Sequence, residues 1–195
     1  MTYNSRFEVI ICMFAHGLGG DRMTGSRDWS RLLSNFPLPE QNLAGIAAGM
    51  VLQRFVPRRL VRASGPPSVL LRLAGGASLA AGGTLITWAW LAARDTRLAR
   101  PETLVTSGPY GRSRNPMYVG WALVHLGVGL LRNDAWTTAA LPVASAAVHR
   151  EVLREEALLE ATFPAEFSRY RQSVHRYGPH LRARFPAALP LRPRR

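Results

Sequence analysis

Two short polar segments hold most of the side chains in this sequence that could take part in chemistry. The first, residues 103–121, combines Gly, Pro, Arg and Tyr residues with an apolar segment that begins at Pro116. The second, residues 154–163, contains the adjacent acids Glu155 and Glu156. If both segments lie at the same end of a bundle of helices, their hydroxyl, guanidinium and carboxylate groups can surround one polar ligand.

The first segment predicts a turn that leads into a helix with Pro116 at its first position, where proline is favoured. The unpaired N–H groups of such a helix start can bind a carboxylate or a phosphate, although Pro116 removes one donor. The alternative is structural: a capped helix whose tyrosines anchor it at a membrane interface. The segment alone leaves both interpretations open.

The acid pair lies on a segment that predicts a helix continuing through Glu160. Adjacent helical residues point about 100° apart, which predicts that Glu155 and Glu156 do not both enter one site. Such an acid could bind the amine or the ribose of a cofactor. It could equally belong to a solvated helix surface where Arg150 and Arg154 pair with the acids.

Other kinds of reactive site have no support in the sequence. The histidines lack the spacing of metal ligands, so no metal site is predicted. Neither a Gly-rich phosphate loop after a strand nor a nucleophile elbow is present. We therefore predict no individual residue as catalytic.

The charge of the chain favours a membrane over nucleic acid as its partner. All 25 basic residues are arginine, against 12 acids, and the net charge is +13. The arginines flank apolar segments and do not form one stripe with exposed aromatic residues, so they suit anionic lipid head groups. Cys12 is the single cysteine, which excludes an intramolecular disulfide and fits a cytoplasmic or membrane setting.

Four apolar segments predict the helices that position these groups: residues 43–56, 69–93, 116–131 and 135–148. A membrane span needs roughly 20 residues, so 69–93 is the strongest candidate and 43–56 is short. The tight connector 132–134 predicts an antiparallel hairpin in which Asp134 caps the next helix. The fold class is therefore all-α, a polytopic membrane helical bundle of three to four spans with a C-terminal cytoplasmic helical cap.

The predicted organisation has three parts. Residues 1–40 are a poorly defined segment that could include an interfacial helix, residues 41–180 form the membrane domain, and residues 181–195 are a basic tail. Arginines after the last apolar segment place the C-terminal part in the cytoplasm. The arginines of residues 54–62 conflict with this rule if residues 69–93 cross once. We predict a multi-pass protein of the cytoplasmic membrane with its site on the cytoplasmic side.

These motifs resemble the isoprenylcysteine carboxyl methyltransferase family of integral membrane methyltransferases over roughly residues 70–180. The family pattern includes Leu-Val-Thr-Ser-Gly, a following Tyr, an Arg-His-Pro-x-Tyr-x-Gly-Trp run and a Glu cluster. Its counterparts here are residues 104–108, 110, 114–121, 155–156, 170 and 174–176. Asn115 stands where the family has His, Pro164 where it has Gly, and Phe167 where it has Tyr. Phospholipid N-methyltransferases carry a similar pattern.

The resemblance implies that S-adenosylmethionine binds in a pocket roofed by the C-terminal helices. It implies these cofactor-binding residues: Glu102, Thr103, Leu104, Val105, Tyr110, Asn115, Pro116, Met117, Tyr118 and Glu155. A lipid-linked or hydrophobic acceptor would enter from the bilayer, most simply a carboxylate as in isoprenylcysteine. The residues implied at the acceptor are Arg150, Arg154 and Tyr170.

Two other functions remain open at this point. Membrane reductases of the sterol or steroid type, which use NADPH, share the Arg-x-Pro-x-Tyr-x-Gly turn but usually lack a Glu pair here. A non-catalytic relative that kept the fold is the third interpretation, motivated by Asn115.

Overall fold

The computed structural model describes residues 39–62, 65–93 and 103–178, and the regular secondary structure of these residues is helical, with no strand among them. Five α-helices occur in this part of the chain: α1 (Glu40–Phe55), α2 (Pro66–Ala93), α3 (Pro116–Leu131), α4 (Ala135–Thr162) and α5 (Pro164–Ser173). A short 3-10 helix, Gly108–Gly111, precedes α3. The predicted all-α class is confirmed for these residues. Glu102, the tail 181–195 and nearly all of segment 1–40 lie outside them.

Close helix contacts set the order of the bundle. α2 runs antiparallel to α3, because Gly75 lies against Leu131 while Gly82 lies against the backbone of Gly120. A Cβ atom added to Gly82 would lie 2.6 Å from the Gly120 carbonyl oxygen, so only glycine permits this approach. Small residues of this kind let helices pack closely where water does not drive their association.

α1 packs antiparallel to α4 in the same way. A Cβ on Gly49 would lie 2.4 Å from the Cα of Thr137, and one on Gly45 would lie 3.4 Å from the Cβ of Ala144. His125 on α3 is fully buried beside this contact, and its ring nitrogens face Asn42 Oδ1 and the Thr137 carbonyl at 3.1 and 3.0 Å. The buried histidine thus connects three helices.

The predicted N-cap at Asp134 and the predicted hairpin of α3 and α4 are confirmed. The Asp134 carboxylate accepts hydrogen bonds from the backbone N–H groups of Trp136 and Thr137 at 2.9 and 3.0 Å. Asn133 adopts a left-handed backbone conformation with φ of 51°, which Asn tolerates better than most residues. Its amide exchanges hydrogen bonds with the backbone of Val61. The turn therefore also holds the connector between α1 and α2.

The arginines of residues 54–62 lie at the end of the bundle that also holds the α3–α4 turn. Ala135 donates its backbone N–H to the Arg58 carbonyl at 3.1 Å, and Trp136 Nε1 donates to the Val56 carbonyl at 2.7 Å. The start of α3 is at the other end. The segments that carry the predicted chemistry are thus remote from this arginine cluster.

The outer surface of α2 is apolar. Among the described residues, α2 is the one helix long and apolar enough to cross a membrane, and 17% of its most apolar 18-residue window is buried in the protein. Leu70 and Leu73 are 65% and 64% exposed. α3 is apolar but has 16 residues. The number of membrane spans remains a prediction.

Candidate functional site

A cavity of about 200 Å³ lies where α3 begins and where α4 extends past the end of α3. Its walls come from three places: the segment 103–105 with Tyr110, the start of α3 at residues 114–118, and the last turns of α4 with α5. Leu158 on its rim is 58% exposed, so the cavity is open on one side. The two polar segments of the sequence therefore meet, although they are about 40 residues apart.

Glu155 and Tyr118 form the polar wall of this cavity. The Tyr118 hydroxyl donates a hydrogen bond of 2.6 Å to Glu155 Oε1. The Glu155 side chain is accessible to solvent on one side, yet surrounding protein partly desolvates it. That desolvation raises the pKa of Glu155 despite the opposing hydrogen bond from Tyr118. A carboxylate in this setting gains from binding a hydroxyl or a cationic group of a ligand.

Glu156 forms a different set of contacts. Arg176 binds it through two hydrogen bonds of 3.0 and 2.8 Å, and Arg114 Nη2 lies 3.0 Å from its Oε1. Burial alone would raise the pKa of Glu156, but the hydrogen bond from Arg176 and the two guanidinium charges hold it below its usual value. Glu156 thus anchors the C-terminal segment to the start of α3.

The segment after α5 completes the roof of the cavity through backbone contacts. Arg114 and Asn115 donate their N–H groups to the carbonyls of His175 and Arg176 at 2.9 and 3.2 Å. The Tyr170 hydroxyl donates to the Tyr110 carbonyl at 2.7 Å. These bonds hold the C-terminal segment and α5 over the turn that leads into α3.

Phe167 on α5 packs against the side chain of Arg114. Phe167 is 1% exposed, packs against Tyr170 and Val174, and lies 5.9 Å from the Arg114 guanidinium. Phe167 is therefore a buried core residue of α5.

The positions of the predicted cofactor residues can now be given. All of those that the structure describes line the cavity: Thr103, Leu104, Val105, Tyr110, Asn115, Pro116, Met117, Tyr118 and Glu155. Tyr170, predicted at the acceptor, lines the same cavity. Their binding roles remain predictions, and Glu102 lies outside the described residues.

Arg150 and Arg154, also predicted at the acceptor, do not reach the cavity. α4 buries Val148, Val152 and Glu156, and residues two positions from these point to the opposite side of a helix. The Arg154 side chain is 75% exposed and pairs with Glu151 at 3.1 Å. The structure therefore places both arginines on the outer face of α4.

The expectation that Glu155 and Glu156 could not share a site is wrong. Both line the cavity. Each side chain points about 50° away from the direction midway between the two, and this direction faces the cavity. Adjacent side chains do point about 100° apart, but the α4 residues that line the cavity, 155, 156, 158 and 159, cover about 160° of the helix circumference. The two acids line it with different partners.

Arg114, Glu156 and Arg176 belong to the site although the sequence prediction gave them no role there. All three lie within the motifs quoted for the resemblance, so the sequence contained a signal that could have identified them. Asn115 likewise has a structural contact: its Nδ2 atom lies 3.5 Å from Glu156 Oε1 and 3.4 Å from the Arg176 carbonyl. The missing information was which of two adjacent acids meets the arginines.

Two comparisons with known proteins show what this chain is similar to. Residues 71–166, just under half of the chain, match the model of the family described as phospholipid methyltransferase. The cobalt-zinc-cadmium resistance protein CzcN of Cupriavidus metallidurans is 36% identical over 107 residues, which are 54% of this chain and 47% of that protein. The chain thus spans about half the length of this relative. No solved structure matches.

The matched region includes all of α3 and α4, with both acids. This family covers the isoprenylcysteine-type membrane methyltransferases that the motifs resemble. Residues 71–166 thus match the phospholipid methyltransferase family, in agreement with the resemblance of the motifs, and this family points to a membrane methyltransferase.

Proposed function

We propose that the protein is a multi-pass membrane enzyme that moves a methyl group from S-adenosylmethionine to a lipid-linked or hydrophobic acceptor. The observation that carries this proposal is the cavity in which Tyr118 and Glu155 meet under the cap formed by α5 and Arg176. The family match, which ends within α5, supports the reaction type.

The chemistry of the cavity suits this methyl donor. Val105, Met117 and Leu159 supply apolar surface on which an adenine ring can lie, while Glu155 and Tyr118 supply the polar groups. Glu155 can accept hydrogen bonds from a ribose hydroxyl or an amino group, and its charge complements a cationic ligand. The volume of about 200 Å³ is small for a nucleoside, but the open side near Leu158 allows a ligand to extend outward.

When bound, S-adenosylmethionine would supply a sulfonium methyl group, whose transfer to a carboxylate oxygen leaves a neutral thioether and moves no proton. The residues of this chain then have two tasks, to position the partners and to exclude water. The Glu156–Arg114–Arg176 contacts perform the first by fixing the cap over the start of α3. The buried side chains of Phe167 and Met117 contribute to the second. A carboxylate acceptor, as the resemblance implies, requires no general base.

A membrane setting is part of this proposal. The helix of a soluble core would bury most of its apolar surface, whereas α2 leaves most of its apolar window exposed. Val143 on α4 is 74% exposed, so the apolar exterior extends beyond α2. We place the cavity on the cytoplasmic side, where the arginines after α4 favour it.

The test is a titration of purified protein in detergent with S-adenosylmethionine and, separately, with NADPH. The proposal expects saturable binding of the former only. Glu155→Gln should weaken binding by about tenfold or more, since a hydrogen bond to a charged group contributes roughly 1.5–3 kcal/mol. Glu151→Gln, one turn away on α4 and outside the cavity walls, is the matched control and should bind as wild type does. Binding of NADPH instead would favour a reductase.

A further inference from the structure

A second cavity of about 340 Å³ adjoins the first. It lies between α1, α3, α4 and the residue Tyr177 that follows the cap. Tyr118 lines both cavities, so a molecule in the second can approach a ligand in the first at this ring. Val119, Ala122 and Val148 give part of the remaining wall an aliphatic surface. Such walls suit the hydrophobic part of an acceptor.

Besides the shared tyrosine, four polar side chains line this second cavity, and two of them bond to each other. His149 Nδ1 lies 2.7 Å from the Tyr177 hydroxyl oxygen. The amide of Asn42 faces His125 instead, at 3.1 Å. Ser145 is exposed on the surface of α4. The His149–Tyr177 pair, whose tyrosine is 40% exposed, is the hydrogen-bonded pair of this cavity that can meet the head of a molecule there.

The pair offers one hydrogen-bond donor whichever neutral tautomer His149 adopts. If the Tyr177 hydroxyl donates to Nδ1, the hydrogen on the other imidazole nitrogen is left for a ligand. If Nδ1 donates to the hydroxyl oxygen, the hydroxyl hydrogen is left. An oxygen of a carboxylate can accept this hydrogen bond in both cases.

His149 lies on α4, the same helix as Glu155 of the first cavity. His149 precedes Glu155 by six residues, which is about 9 Å along a helix axis. Tyr118, which bonds to Glu155, bridges this distance. Arg150 and Arg154, the arginines expected to serve the acceptor, lie on the other side of α4 and line neither cavity.

We propose that the second cavity binds the acceptor and that His149 and Tyr177 position its carboxylate beside Tyr118. This proposal rests on the proposed function, because it names the acceptor site of that reaction. It assigns acceptor recognition to two hydrogen-bonding side chains, with no arginine at the carboxylate.

The test measures binding of a carboxylate probe without any methyl donor present. N-acetyl-S-farnesylcysteine is titrated into purified protein in detergent, and its carboxamide, which lacks the charged oxygens, serves as the paired probe. Tyr177→Phe and His149→Phe should each weaken binding of the acid by about tenfold to a hundredfold, while binding of the carboxamide changes less than threefold (about half a log unit). Arg169→Gln, an exposed change on α5, is the control and should leave both affinities unchanged.

A second readout separates a positioning role from general damage. Tyr177→Phe keeps the aromatic ring, so its melting curve should follow that of wild type, and its affinity for S-adenosylmethionine should also be unchanged. In turnover assays the variant should raise KM for the acid with a smaller effect on kcat.

Several results would overturn the proposal. One is that Tyr177→Phe and His149→Phe bind N-acetyl-S-farnesylcysteine as tightly as wild type does, while wild type binds S-adenosylmethionine. This result would refute the acceptor site but not the proposed function. Another is loss of acid binding in Arg150→Gln or Arg154→Gln. A third is equal binding of acid and carboxamide, or displacement of the acid by phosphatidylethanolamine, which would indicate an amine acceptor. If wild type binds no S-adenosylmethionine, the proposed function itself fails.

Discussion

Neutralising each of the two adjacent acids should have opposite consequences. Glu156→Gln removes the negative charge between Arg114 and Arg176, whose side chains are 7% and 32% exposed. Loss of one partner from a buried ion pair costs roughly 3–5 kcal/mol. Since Arg176 is partly screened by solvent, we expect the lower end, about 3 kcal/mol. Glu155→Gln removes a charge that the surrounding protein partly desolvates. Among the described residues, Glu155 forms no ion pair with an arginine.

The magnitude can be measured as a melting temperature. For a chain of this size 1 kcal/mol corresponds to about 2–4 °C, so Glu156→Gln should melt about 6–12 °C below wild type. Glu155→Gln should melt at or above the wild-type temperature, yet bind S-adenosylmethionine more weakly. Intrinsic tryptophan fluorescence of detergent-purified protein during heating records both values.

A double-mutant cycle isolates the contact. Arg176→Gln combined with Glu156→Gln should destabilise by less than the sum of the two single changes, because each single change leaves the other partner unpaired. If Glu156→Gln melts within about 2 °C of wild type, the ion pairs of Glu156 contribute as little as exposed pairs often do, and this prediction is wrong. It is equally refuted if Glu155→Gln is the more destabilising of the two.

Three further predictions concern the ionisation of Glu156, the contact between α2 and α3, and the hydrogen bond of Tyr170. Acid should destabilise the wild type through Glu156: its folded pKa is lowered, so its contribution is present above its usual value of 4.5 and is lost as pH falls through the folded pKa. Melting temperatures measured from pH 7 to pH 3 should show this loss, and Glu156→Gln should lack it. Gly82→Ala should lower the melting temperature because its Cβ would meet the Gly120 carbonyl, whereas Gly83→Ala, with open space around it, should not. Tyr170→Phe should cost about 1–2 kcal/mol, read from the same melting curves, because it leaves a backbone carbonyl without its hydrogen bond.

The sequence was sufficient for the helices. Pro116 and Asp134 stood at positions that favour helix starts, and both helices begin there. Pro164 likewise ends α4 and opens α5, because proline suits the first helical turn and disrupts an interior one. Local backbone chemistry decides these boundaries, and local sequence contains it.

The site was predictable only in part. Family motifs grouped Tyr118 with Glu155, and the structure brings them to 2.6 Å. The assignment of Arg150 and Arg154 to the acceptor depended on which face of α4 points inward, and that is fixed by packing with α1 and α3. The His149–Tyr177 contact joins residues 28 positions apart through a turn and a short helix. Neither spacing nor composition could have indicated it.

Transfer of a radioactive methyl group is the most direct test of the proposed methyltransferase activity. Purified protein is reconstituted in bilayers, given methyl-labelled S-adenosylmethionine and a lipid extract, and the organic phase is counted. The account predicts label in a hydrophobic product with wild type and with Glu151→Gln, and a loss of about tenfold or more with Glu155→Gln. Label that stays entirely in the aqueous phase with wild type, or that appears equally with Glu155→Gln, would contradict it.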